Sequence, residues 1–197
     1  MGVRIITDSA SDIVKEQAEK WNVKVVPLKT LFGDQEYLDG VNLSHQEFFE
    51  KLIESEALPT TSQITPYEYE EVFEEVKENN DTAICITISS KLSGCYQSAY
   101  VAAKKYADCV TVVDSENVCA GELILVELAV RLRNEGKSAK EIAEIIEQEK
   151  KKVRLIALLD TLEYLKKAEE FLRLWHLREH FSQLNRLLPL KTAKWLC

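Results

Sequence analysis

Thr82-Ala83-Ile84-Cys85-Ile86-Thr87-Ile88, followed at once by Ser89-Ser90-Lys91-Leu92-Ser93-Gly94, decides the fold. The first seven residues carry no charge, alternate little and are rich in β-branched side chains, as a strand buried on both faces must be. Such strands belong to parallel sheets sandwiched between helices. Working outward, residues 4–7, 24–28, 109–113 and 153–159 read as further strands. Helices are expected over residues 10–21 with Ser11 or Asp12 as cap, from Ser44, over 66–79, 93–106, 118–134 and 139–150, and from Thr161. Ser44 with Glu47 three residues on forms a capping box, and Phe48, Phe49, Leu52 and Ile53 make that helix's apolar face. Tyr67, Tyr69, Val72, Phe73 and Val76 make the inner side of the next. Gly33-Asp34 between apolar flanks predicts a small hairpin over residues 31–37, and residues 60–63 read as a loop. Strand and helix alternate throughout, which predicts an α/β fold: a mainly parallel sheet with helices on both faces.

The composition sets bounds on function. The chain has 197 residues, a formal net charge of −8, 46% hydrophobic and 29% charged residues. An acidic chain has no general attraction to nucleic acid or to anionic membrane, so neither is an expected partner. The apolar runs fall short of the roughly 20 residues that span a bilayer, so stable membrane insertion is not expected. Five cysteines, an odd number with no CxxC pair, read as free thiols, mostly buried in a reducing cytoplasm.

On a parallel sheet, ligands sit beyond the carboxyl ends of the strands. Three polar clusters fall there: Asp8-Ser9, Ser89-Ser90 with Ser93-Gly94, and Asp114-Ser115. Thr60-Thr61-Ser62-Gln63 stands just before Pro66, a residue suited to a helix's first turn. Hydroxyls and free amides without a neighbouring Lys or Arg suit a ligand of low charge density, such as a carboxyl group, and suit a triphosphate poorly. The same residues also serve as N-caps and turn formers. No GxxxxGK[ST], GxGxxG or GxSxG motif occurs, so nothing points to a nucleotide cofactor or a hydrolase nucleophile. His45 falls in the first turn of a charged helix. His176 and His180 fit HxxEH, a zinc-peptidase pattern without supporting flanks. Asp8, Asp12 and Asp114 allow a second reading, a metal-dependent phosphotransferase or hydrolase. The favoured reading has Asp8 and Asp114 bracing loops, Asp8 by orienting nearby hydroxyls.

Five stretches resemble the DegV family in order and spacing: Ile6-Thr7-Asp8-Ser9-Ala10-Ser11-Asp12; Pro59-Thr60-Thr61-Ser62-Gln63; Ile88-Ser89-Ser90-Lys91-Leu92-Ser93-Gly94-Cys95-Tyr96-Gln97-Ser98-Ala99, where the family usually has Thr at Cys95; Val113-Asp114-Ser115; and Leu159-Asp160-Thr161-Leu162-Glu163-Tyr164-Leu165-Lys166-Lys167. The resemblance covers residues 1–167 and implies the N-terminal lobe of a cytoplasmic, non-catalytic carrier. Such proteins enclose a long-chain fatty acid between two α/β lobes and present its carboxyl group to the separate ATP-binding subunit of a fatty acid kinase. It implies that Thr61 and Ser93 hydrogen-bond the carboxyl group with Ser62 and Gly94 beside them. Asp8, Ser9, Asp114 and Ser115 are expected to brace the loops around that site, with no metal and no cofactor.

Residues 168–197 depart from the family pattern, which continues with Gly-Gly-Arg into a second lobe. Back-translated with permitted codons and read from one base earlier, this tail yields a string opening Gly-Gly-Arg-Ile-Ser-Lys that resembles the family's continuation. The expectation is a lost base near Lys166-Lys167, an out-of-frame tail and a missing second lobe. Weak or absent fatty-acid binding follows, together with apolar surface that pairing with a second copy would cover.

Overall fold

A computed structural model describes residues 2–55 and 57–156 of the chain. The central sheet contains β1 (Val3–Asp8), β2 (Val23–Val26), β6 (Thr82–Thr87) and β7 (Val110–Asp114), in the order β2-β1-β6-β7 with every pair parallel. The smaller sheet is antiparallel and contains β3 (Lys29–Phe32), β4 (Gln35–Leu38) and β5 (Thr60–Ser62), in the order β4-β3-β5. The helices are α1 (Lys15–Trp21), α2 (His45–Glu54), α3 (Pro66–Glu78), α4 (Cys95–Ala103), α5 (Ala120–Asn134) and α6 (Ala139–Glu149). Met1–Leu155 forms one compact unit.

Alternation along the buried strands divides the core in two. Ile6, Ala83 and Cys85 point to the face covered by α3 and α4, where Tyr69, Phe73, Val76, Ala99 and Ala102 pack. Ile5, Ile84 and Ile86 point to the other face, against Leu125, Val126, Ala129, Ile142 and Ile146 of α5 and α6. This is the α/β fold read from the sequence, with helices on both faces. From β1 the chain first builds outward to β2, then crosses back to add β6 and β7 on the opposite side. The order therefore reverses between β1 and β6, and such a reversal opens a crevice at the strands' carboxyl ends.

Several local expectations are corrected. Residues 10–21 are not one helix: Ser11 turns its hydroxyl back to the Asp8 carbonyl at 2.7 Å, and Asp12 adopts a left-handed conformation (φ 56°). A short 3-10 turn over Ser9–Ser11 results, and α1 begins only at Lys15, with no side-chain cap. Thr60–Ser62 is a strand rather than a loop, because β3 offers it an open edge. The apolar face of α2 is not packed inward, and no residue of that helix is buried. Tyr67 of α3 is exposed while Tyr69, Val72, Phe73 and Val76 are buried as expected. Residues 153–156 form no strand. The rest of that stretch, the helix from Thr161, the HxxEH pattern and the tail lie outside the described residues.

Candidate functional site at the carboxyl ends of the strands

Asp8 ends β1 in full burial. Its Oδ2 accepts the Ile88 amide at 2.8 Å and its Oδ1 accepts the Ala10 amide at 3.1 Å. One side chain thus ties the turn after β1 to the exit of β6, across the point where the strand order reverses. Both oxygens go to backbone amides, so Asp8 does not orient neighbouring hydroxyls as expected. Ser9 Oγ accepts the Leu28 amide at 3.0 Å. Asp114 Oδ1 accepts the amides of Ser90 (3.2 Å) and Glu116 (2.9 Å). Ser115 Oγ closes a tight turn with the Asn117 backbone, donating to its carbonyl and accepting from its amide, both at 3.0 Å. The same Asn117 carbonyl accepts the Ser89 amide at 2.9 Å. The loops after β1, β6 and β7 are therefore cross-tied, each by a residue singled out in the sequence.

Thr61 is exposed on β5 opposite Thr30 of β3, and Ser62 is half-buried opposite Lys29. Ser93 and Gly94 lead into α4. Ser93 Oγ accepts the Cys95 amide at 3.3 Å and donates to Cys95 Sγ at 3.1 Å. The Gln63 amide group lies against Gly94, and its Nε2 donates to Ser98 Oγ at 3.2 Å. The end of β5 and the start of α4, some thirty residues apart in sequence, are joined by these contacts. Asp8 and Asp114 reach the Ser93 loop only through its backbone, at Ile88 and Ser90.

Two charged residues that sequence reading did not single out also sit here. Glu122, fully buried on α5, accepts the Thr7 hydroxyl on Oε1 at 2.9 Å and has no partner on Oε2. Burial, and then the nearby Asp8, push its carboxyl well above the usual carboxylate range. Burial likewise raises Asp8, to about 7, against the pull of its two amides. Glu122 is one of two glutamates on the mostly apolar α5, and its burial comes from the packing of that helix. Lys150 donates to the Asp114 carbonyl at 2.9 Å and pairs with Glu147 (2.7 Å) and Glu116 (3.0 Å). Burial lowers its ammonium and those carboxylates more than offset this. Its charge is committed to the loop it supports.

The metal-dependent reading requires Asp8, Asp12 and Asp114 to surround one ion. Among the described residues no group of three or more His, Cys, Asp or Glu is placed to hold one. No described helix is long and apolar enough to cross a membrane.

The DegV family model, described as one of uncharacterised proteins, matches residues 2–170. A DegV domain-containing protein of Caldanaerobacter subterraneus subsp. tengcongensis is 37% identical over 164 residues, covering 83% of this chain and 58% of that protein. A fatty-acid-binding DegV family protein from Thermus thermophilus superposes with a TM-score of 0.71 at 34% identity, covering 77% of this chain and 54% of that one. The fatty acid kinase B3 protein of Streptococcus pneumoniae, loaded with linoleic acid, superposes with a TM-score of 0.64 at 25% identity, covering 77% and 55%. The chain spans little more than half the length of these relatives. With its family motifs at the carboxyl ends of the β2-β1-β6-β7 sheet, and with this match across most of its length, the chain belongs to the DegV family.

Proposed function

We propose that this chain binds a long-chain fatty acid by its carboxyl group at the rim between β5 and α4. In this reading Thr61 and Ser93 donate hydroxyl hydrogen bonds to the carboxylate, Ser62 and Gly94 stand beside them, and Asp8, Ser9, Asp114 and Ser115 hold the loops. The chain catalyses nothing itself. It presents the carboxyl group to the ATP-binding subunit of a fatty acid kinase in the cytoplasm.

The observation that carries the reading is the junction of the two hydroxyl-bearing segments: the Gln63 amide group lies over Gly94 and donates to Ser98 Oγ one turn on. Ser62 stands opposite Lys29, whose ammonium already pairs with Glu68 (3.1 Å) and Glu36 (3.6 Å). Such a site favours a singly charged head group. The fatty acids bound by the Thermus and Streptococcus proteins support the same ligand class. To bind a carboxylate, Ser93 turns its proton from Cys95 Sγ, a weak acceptor, toward the ligand.

The division into a lobe of residues 1–167 and an out-of-frame tail of 168–197 is part of the proposal. Sequencing the gene tests it, and an in-frame gene with no family continuation in the neighbouring frame removes it. Association of two copies through exposed apolar surface is proposed as well.

The functional test mixes this chain, the kinase's ATP-binding subunit, ATP and oleate. Acyl phosphate is expected only when both proteins are present. Equal product without this chain, or product from this chain alone, contradicts the reading.

A further inference from the structure

Gly94 is a glycine for reasons of space. Its backbone (φ −77°, ψ 2°) is open to any residue. A methyl group placed on it would stand 1.8 Å from Gln63 Oε1 and 2.6 Å from Gln63 Cδ. The space where a side chain would begin is filled by the end of another, from a segment about thirty residues earlier. Gln63 holds that position through its bond to Ser98 Oγ at 3.2 Å. Ser98 is buried, and its own amide bonds the Gly94 carbonyl at 3.0 Å. The Gln63 side chain therefore spans the first turn of α4 from Gly94 to Ser98.

We propose that Gln63 is a positioning residue for the head-group site, a latch whose amide lies over the bare Cα of Gly94 and fixes the separation of Thr61 and Ser62 from Ser93. The inference rests on the fatty-acid reading above for its ligand, but not for its geometry. A carboxylate held from two sides requires both donors at fixed separation, and donors on unconnected segments hold it poorly. Two elements carry these donors, β5 and the entry to α4, and Gln63 lies in the turn after β5. Gln63 supplies the link across the gap, through its bond to Ser98 Oγ and its contact with Gly94.

The test is a double-mutant cycle on the full chain, read twice. In urea unfolding without ligand, Gly94→Ala raises the unfolding constant roughly two- to threefold when Gln63 is present, by displacing its amide, and barely changes it in the Gln63→Ala background. In oleate titrations, Gln63→Ala weakens binding roughly fivefold while its own unfolding constant moves less than about threefold. Gln63→Glu keeps the length and lets the Ser98 hydroxyl donate, so it restores the stability coupling. Coupling together with weakened oleate binding supports the latch. Equal effects of Gly94→Ala in both backgrounds overturn it. Coupling with oleate affinity unchanged overturns the positioning role. If the unaltered chain binds no oleate, the fatty-acid reading and the positioning role fall together, while the ligand-free coupling still reports whether the contact exists.

Discussion

The two sheets are held in different ways. The four-stranded parallel sheet is covered on both faces, and Ile84 and Ile86 at its centre are fully buried. Its exits are stitched together by Asp8, Asp114 and Ser115. The three-stranded sheet and α2 depend on local devices: a two-residue turn at Gly33-Asp34, a capping box at Ser44 and Glu47, and an edge-on aromatic contact of Phe48 with Phe32 (5.8 Å). Val41, Phe49 and Ile53 remain 68%, 59% and 81% exposed. The difference teaches that a hydrophobic period specifies a helix and its stripe without specifying what the stripe meets. Sequence identity to relatives says little about this either.

Substitutions in the two regions should differ in kind. The largest effect is expected at Asp8. Asp8→Ala strands the Ile88 and Ala10 amides in the interior and should cost about 3 kcal/mol in urea unfolding. A cost below about 1 kcal/mol would mean that the loops after β1 and β6 are not held by this residue.

Next in size is the pH dependence from Glu122. Its folded pKa lies above the unfolded value, so above pH 4.5 the folded chain keeps a proton that the unfolded chain releases. Stability from this group is complete below that pH and is lost as pH rises toward the folded pKa. Each such proton contributes a slope of roughly 1.4 kcal/mol per pH unit. Asp8, raised from 3.8 to about 7, adds to the same fall between those values. The acidic groups acting on Glu122 are Asp8, Asp12 and Asp114, and Thr7 donates to it. Glu122→Gln should keep the chain folded and flatten the fall between pH 5 and 8, measured by urea midpoints across that range. An unchanged slope would show that Glu122 is not the proton holder.

In the other region, Ser44→Ala removes the cap of α2 and should cost about 1 kcal/mol. The smallest change in stability is expected for the double substitution Phe49→Ser with Ile53→Ser, within about 0.5 kcal/mol because neither side chain is buried. The same pair should abolish concentration-dependent association in sedimentation. Association that survives it places the contact elsewhere.

The parallel sheet was legible because burial on both faces leaves an uncharged run rich in β-branched side chains, and residues 82–88 are one. The capping box at Ser44 was readable from spacing alone. The strand character of Thr60–Ser62 was not, since three hydroxyl residues gain strand geometry only from the edge of β3. The break after Ser11 depends on one hydroxyl choosing a carbonyl three residues back, a competition that periodicity does not register. The clusters that hold Thr61, Ser93 and Gly94 stood out by their positions at element ends, and it was the resemblance to the family that picked these residues within them. Gln63, read only as part of a polar cluster, acquires its place from a contact with Gly94 that no local pattern encodes. Glu122 and Lys150 are two among many charges in the sequence, and only the packing of α5 and α6 sets them apart.

The most direct test is a titration of the chain with oleate beside its Thr61→Val and Ser93→Ala variants, with thermal unfolding of each measured in parallel. The account predicts saturable binding by the unaltered chain and roughly tenfold weaker binding by each variant, with unfolding temperatures preserved. Saturable binding left unchanged by both substitutions, or no binding by the unaltered chain up to the solubility of oleate, would contradict it.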